Sequence, residues 1–85
     1  MHPAIADIVT MIDDIVANVG AINVKNEMQI NHGWRNIDEN NISDDVASFL
    51  TYDVDDIEFG DMLETVYSEF YNIAHKFNYT ITTFD

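Results

Sequence analysis

The sequence predicts an α+β fold: a helix, a strand or hairpin, two helices and a terminal strand, with a small antiparallel sheet packed on the helices. Three observations predict it. Apolar residues recur at three-and-four spacing over residues 3–19 and again over 59–77, the period of a helix with one buried face. Residues 22–30 instead alternate apolar and polar side chains, the period of a half-buried strand. The stretch from Asn78 to Phe84 is rich in Thr, Tyr, Ile and Phe, which favour pleated structure.

In the first helix, Ile5, Ile8, Val9, Ile12, Ile15, Val16 and Val19 share one face. Pro3 suits its first turn and Gly20 the position just past its end. Beyond Gly20, Ile22, Val24, Met28 and Ile30 share one parity. A three-residue turn over Lys25, Asn26 and Glu27 pairs Val24 with Met28 and Ile22 with Ile30, keeping the apolar faces together. A hairpin with that turn and one continuous strand over 21–31 both fit. His32-Gly33-Trp34-Arg35 and the polar run through Asn41 read as a loop. Ser43 is placed to cap a short second helix with Val46, Phe49 and Leu50 inward, ending near Tyr52. Asp55 and Glu58 resemble a capping box for the third helix. Phe59, Met62, Leu63, Val66, Phe70, Ile73, Ala74 and Phe77 hold its inner face.

With 85 residues the chain is expected to be a single domain, 1–85, with a thin core. Hydrophobic residues make up 47% of it, too many for a disordered acidic tail. It has no cysteine, which excludes disulfides and thiolate metal sites. No basic segment precedes an apolar one at the start, and no apolar run reaches the roughly 20 residues of a membrane span. A cytoplasmic protein, inside the host cell if phage-encoded, with no membrane contact is expected.

Charge is the outlying property. Sixteen carboxylates face three basic side chains, Lys25, Arg35 and Lys76, for a formal charge of −13. From Asn36 to His75 there are eleven acids and no Lys or Arg: Asp38, Glu39, Asp44, Asp45, Asp53, Asp55, Asp56, Glu58, Asp61, Glu64 and Glu69. Asp44, Asp45, Asp55, Asp56 and Glu58 fall in first helical turns, where the helix dipole favours anions. Glu58, Asp61 and Glu64 advance three residues at a time, about 4.5 Å per step, as a carboxylate row. B-DNA carries one phosphate charge per about 1.7 Å of axis, so such rows approximate its charge track. The ordinary reading of an acidic stretch is a solvated face. A run of forty residues without a compensating cation favours a surface that grips a basic partner.

Catalytic and metal patterns are missing. Asp53, Asp55, Asp61 and Glu64 match four ligand positions of a calcium loop, but Ile57 and Glu58 stand where an oxygen ligand and a glycine are required. His2, His32 and His75 lack metal-ligand spacing. No glycine-rich phosphate loop, nucleophile elbow or Cys-His pair occurs. We therefore expect no enzyme, no cofactor and no metal. Direct nucleic-acid binding is not expected either, because the net charge repels phosphates. Trp34, exposed beside the acidic loops, is a candidate anchor for a partner. Folded back, it covers the core instead. Tyr52, Tyr67, Tyr71 and Tyr79 read as boundary residues, with Tyr67 and Tyr71, four apart on one flank of the third helix, alternatively lining a homodimer contact.

In size, acidity, lack of cysteine and lack of a catalytic pattern, the whole chain resembles the phage and mobile-element proteins that mimic DNA, among them anti-restriction and anti-CRISPR proteins. The resemblance is one of overall character. It implies an inhibitor that blocks the DNA- or RNA-binding surface of a basic protein or nucleoprotein complex, such as a host defence nuclease, through the acids between Asp38 and Glu69. The alternative is an immunity protein or antitoxin that neutralises a basic nuclease toxin.

Overall fold

Ile5, Ile8, Met11, Ile12 and Ile15 form a buried stripe along helix α1, Pro3–Val19. The computed structural model describes residues 2–82. Pro3 opens the helix, and the His2 Nδ1 accepts the Ala4 N–H at 3.1 Å, a cap the sequence pattern does not announce. Gly20 closes it. Its N–H donates to the Val16 carbonyl, and its own carbonyl accepts from Val24, so one residue ends α1 and starts α2, Ala21–Asn31.

Helix α2 corrects the strand or hairpin expected at 21–31. Val24 and Met28, four residues apart, are fully buried, whereas Ile22 and Ile30 are 54% and 77% exposed. The alternation had put all four on one face. A helix buries only the pair at its own spacing and satisfies its backbone hydrogen bonds within itself. A lone hairpin would have needed further strands for stability, and none forms among the described residues.

Gly33, at φ +73°, then turns the chain so that the Trp34 N–H reaches back to the Met28 carbonyl at 3.1 Å. Arg35 follows, exposed in the loop. The short helix α3, Ile42–Ser48, buries Ile42, Val46 and Ala47, and its N-cap position is Asn41 rather than Ser43. It runs directly into a single π turn, Phe49–Asp53, that buries Leu50. Helix α4, Phe59–Lys76, turns Val66, Phe70, Ile73 and Ala74 into the core. The Asp55 carboxylate accepts the Glu58 N–H at 2.9 Å just ahead of it.

The tail is the second correction. Asn78 adopts the left-handed conformation at φ 58°, its N–H donates to the His75 carbonyl, and the Tyr79 N–H donates to that of Ala74. This is the Schellman arrangement that ends helices. No strand forms over 78–82, and the rest of the expected strand, 83–84, lies outside the described residues. The Tyr79 hydroxyl is instead tied to α1, donating to Asp14 at 2.6 Å and accepting from Asn18 at 3.2 Å.

Among the described residues the fold is therefore all-α, with no strand and no sheet, and the expected α+β class is overturned. Helix α1 packs against α2, α3 and α4, and α4 also touches α2 and the π turn. The body is flat, 33 × 31 × 19 Å. Its described core is wholly apolar, so the acids lie at or near the surface.

Candidate binding surface

Repulsion among like charges is relieved first by cations, and two of the three are engaged inside the fold. Lys25 on α2 pairs with Glu39 at 2.8 Å, and Lys76 on α4 pairs with Glu27 on α2 at 2.5 Å. The hydrogen bonds from these lysines hold Glu39 and Glu27 below the usual carboxylate range, and the bond to Glu39 raises Lys25. Each glutamate thus contributes stability above its ordinary pKa, lost as the pH falls through its lowered folded value. Neither lysine is left to offset the remaining acids.

Of the eleven acids singled out, Asp38, Asp44, Asp53, Asp55, Asp56, Glu58, Asp61 and Glu64 are exposed. Asp38 organises its own loop, accepting from Asn40 N–H at 3.0 Å and from the Asn41 side chain at 3.2 Å. Asp44 lies in the first turn of α3, and Asp61 in that of α4. Asp53 ends the π turn, Asp55, Asp56 and Glu58 follow in the link to α4, and Glu64 is exposed on α4. Asp53 and Asp55 precede α4, and Asp61 and Glu64 lie on it. Among the described residues, no group of three or more His, Asp or Glu side chains is arranged to hold a metal ion.

Glu39, Asp45 and Glu69 are half-buried. Asp45 accepts the Asp38 N–H at 3.2 Å. Glu69 turns partly inward: its Oε2 accepts the Trp34 indole N–H at 3.2 Å and lies 3.3 Å from the His32 Nδ1. Burial pushes its carboxyl above the ordinary value, against the Trp34 bond and the nearby His32. Trp34 is folded back and half-buried, edge-on to Phe49 at 5.1 Å. Around this group opens a cleft of about 560 Å³, lined by Trp34, Arg35, Phe49 and Met62 and by Asp45, Asp53 and Glu69, among others. The fold thus gathers three of the eleven acids and Trp34 at one place, and leaves Asp38, Glu39, Asp44, Asp55, Asp56, Glu58, Asp61 and Glu64 outside it.

Two features escape the sequence argument. Tyr52 in the π turn and Ile57 in the acidic link after it are 82% and 92% exposed. Ile57, an isolated apolar residue between Asp56 and Glu58, was a visible signal. His32 as the neighbour of Glu69 was not visible, because the pair is assembled by tertiary packing. Tyr67 and Tyr71 stack at 6.5 Å, with Tyr71 48% exposed.

Two expected outcomes follow from this electrostatics. The first concerns screening. From about 0.1 M to about 1 M NaCl the Debye length falls from roughly 10 Å to 3 Å, so self-repulsion weakens and the thermal midpoint rises. Relief of about 1 kcal/mol corresponds to about 4–8 °C for a domain of this size. A midpoint that is flat or falls with salt would mean the acids are compensated.

The second concerns Glu69→Gln, which keeps an acceptor for the Trp34 N–H. A carboxyl raised by folding contributes stability that is complete below its unfolded pKa and is lost as the pH rises through its folded value. The glutamine variant is therefore the more stable at pH 7, by up to about 1 kcal/mol. Its advantage disappears in acid. Urea melts across pH check this, and a wild type that gains on the variant as the pH rises contradicts it.

Compared with known proteins, the chain matches no family model, no curated protein and no solved structure.

Proposed function

We propose that the protein is a small acidic inhibitor that docks on the DNA- or RNA-binding surface of a basic partner, such as a CRISPR-Cas effector or restriction enzyme, and blocks it. The observation that carries this reading is the eight exposed carboxylates from Asp38 to Glu64, with Lys25 and Lys76 engaged elsewhere. A surface evolved to hold phosphates with Arg and Lys forms the same charge-assisted hydrogen bonds with carboxylates, and complementary fields steer the encounter. The test is capture from host lysate on the tagged protein, washed at about 0.1 M and then about 1 M salt. A nuclease or other nucleic-acid-binding complex, released by salt and competed by DNA, is the expected result. Retention in high salt with no competition by DNA sinks the mimic.

One observation favours a second reading, an immunity protein or antitoxin with a dedicated nuclease partner. Tyr52 and Ile57 stand exposed amid Asp53, Asp55, Asp56 and Glu58. A charge mimic needs no apolar anchor, whereas dedicated interfaces centre on such residues. A salt-resistant complex lost in Ile57→Asp would select this reading.

A further inference from the structure

The exposed carboxylates account for attraction to a basic partner but leave the cleft beside Trp34 unexplained. Its volume of about 560 Å³ lies within the roughly 300–1,000 Å³ of ligand-binding clefts. Two aromatic rings, Trp34 and Phe49, line it edge to face. Three acidic residues, Asp45, Asp53 and Glu69, line it together with Arg35 and with His32, whose Nδ1 lies 3.3 Å from Glu69. Arg35 makes no ion pair among the described residues, although it shares the cleft with all three.

This lining is selective. Carboxylates alone attract any cation, and aromatic rings alone attract any apolar group. Together they favour a flat, weakly hydrated cation that stacks on a ring while donating in-plane hydrogen bonds to carboxylates, which describes a guanidinium. A lysine ammonium is compact and strongly hydrated, and it offers no plane to stack. Glu69, half-desolvated and with one oxygen already facing Trp34 and His32, gains from an entering positive charge. Asp53 stands exposed and within reach of solvent.

We propose that this cleft receives an arginine side chain of the basic partner. The inference rests on the proposed function for that partner, and it adds a point of specificity that diffuse charge cannot supply.

The test titrates the protein with acetyl-Gly-Arg-Gly-amide and its lysine counterpart at about 0.15 M salt, following the emission of Trp34, the sole tryptophan. The arginine peptide is expected to give a saturable change, with the lysine peptide about tenfold weaker. Asp53→Asn and Glu69→Gln, checked for native helicity, are expected to weaken the arginine peptide about fivefold each. Asp13→Asn, exposed on α1 and outside the cleft lining, is expected to leave it unchanged. No saturable response, equal responses to the two peptides, or an equal loss in Asp13→Asn overturns the assignment. The lysate capture separates this from the proposed function. A DNA-competed partner held as tightly by the Asp53→Asn/Glu69→Gln double variant as by wild type overturns the arginine cleft alone. A cleft that binds the arginine peptide in a protein that retrieves no such partner overturns the inhibitor reading alone.

Discussion

Phe70→Ala is expected to remove about 3–5 kcal/mol of stability, the usual cost of a large aromatic truncated inside a packed core. Phe70 is fully buried and is the largest side chain in the core, held by α4. It belongs to the same apolar cluster as the α1 isoleucines, and α4 packs on α1, so the void opens inside that shared core. A chain of 85 residues has a total stability of about 4–13 kcal/mol at the usual 0.05–0.15 kcal/mol per residue. The variant therefore melts at least about 12 °C lower, and a marginal wild type would leave it largely unfolded at 25 °C. Thermal melts followed by circular dichroism measure this. Ile57→Ala is the control. Although Ile57 is as apolar as any core residue, it is 92% exposed, and its loss is expected to change stability by no more than about 0.5 kcal/mol. Equal effects from the two substitutions would refute the core described above.

The second large effect concerns the backbone. Gly20 has φ 100° and ψ 133°, a region that side chains beyond glycine rarely enter. Gly20→Ala is expected to cost about 1–3 kcal/mol through strain alone, because the added methyl lies 3.4 Å from the Asn23 side chain, an ordinary contact. Relaxing the strain would require α1 and α2 to change their relative direction, and both bury their inner faces in one core. Gly60→Ala provides the opposite sign. Gly60 sits in the first turn of α4 at ordinary helical angles with nothing within 4 Å of an added Cβ. There alanine limits the unfolded chain and is expected to stabilise by about 0.4–1 kcal/mol. Denaturant titrations of the two variants side by side check both signs, and a neutral Gly20→Ala would place the bend elsewhere.

The parts of the fold that were legible in the sequence are those where one period is repeated long enough to exclude the other. Helices α1 and α4 span 17 and 18 residues, and no strand reading survives over that length. The segment 21–31 is too short for that. Apolar residues at 22, 24, 28 and 30 contain both a period of two and an i, i+4 pair, and packing chose the pair. At the tail, β-favouring residues concealed Asn78, whose tolerance of the left-handed conformation caps α4. The candidate surface divides in the same way. Counting acids locates the charge, because composition is local. Which acids are engaged depends on partners distant in sequence: Lys76 lies 49 residues from Glu27, and Trp34 lies 35 from Glu69. No spacing rule reaches that far, so the cleft emerged only with the tertiary structure.

The placement of the three basic residues also sets how the chain meets a protease that cuts after Lys or Arg. Lys25 and Lys76 are in helices and ion-paired, whereas Arg35 lies exposed in an irregular loop, the kind of site where nicking concentrates. Under limiting trypsin the first cut falls after Arg35, dividing the molecule into one piece with α1 and α2 and another with α3, the π turn and α4. Because α1 packs against both α3 and α4, the pieces are joined by the core itself rather than by the severed loop. The two pieces, separable in covalent terms, remain one folded body because α1 and α2 of the first both pack on helices of the second.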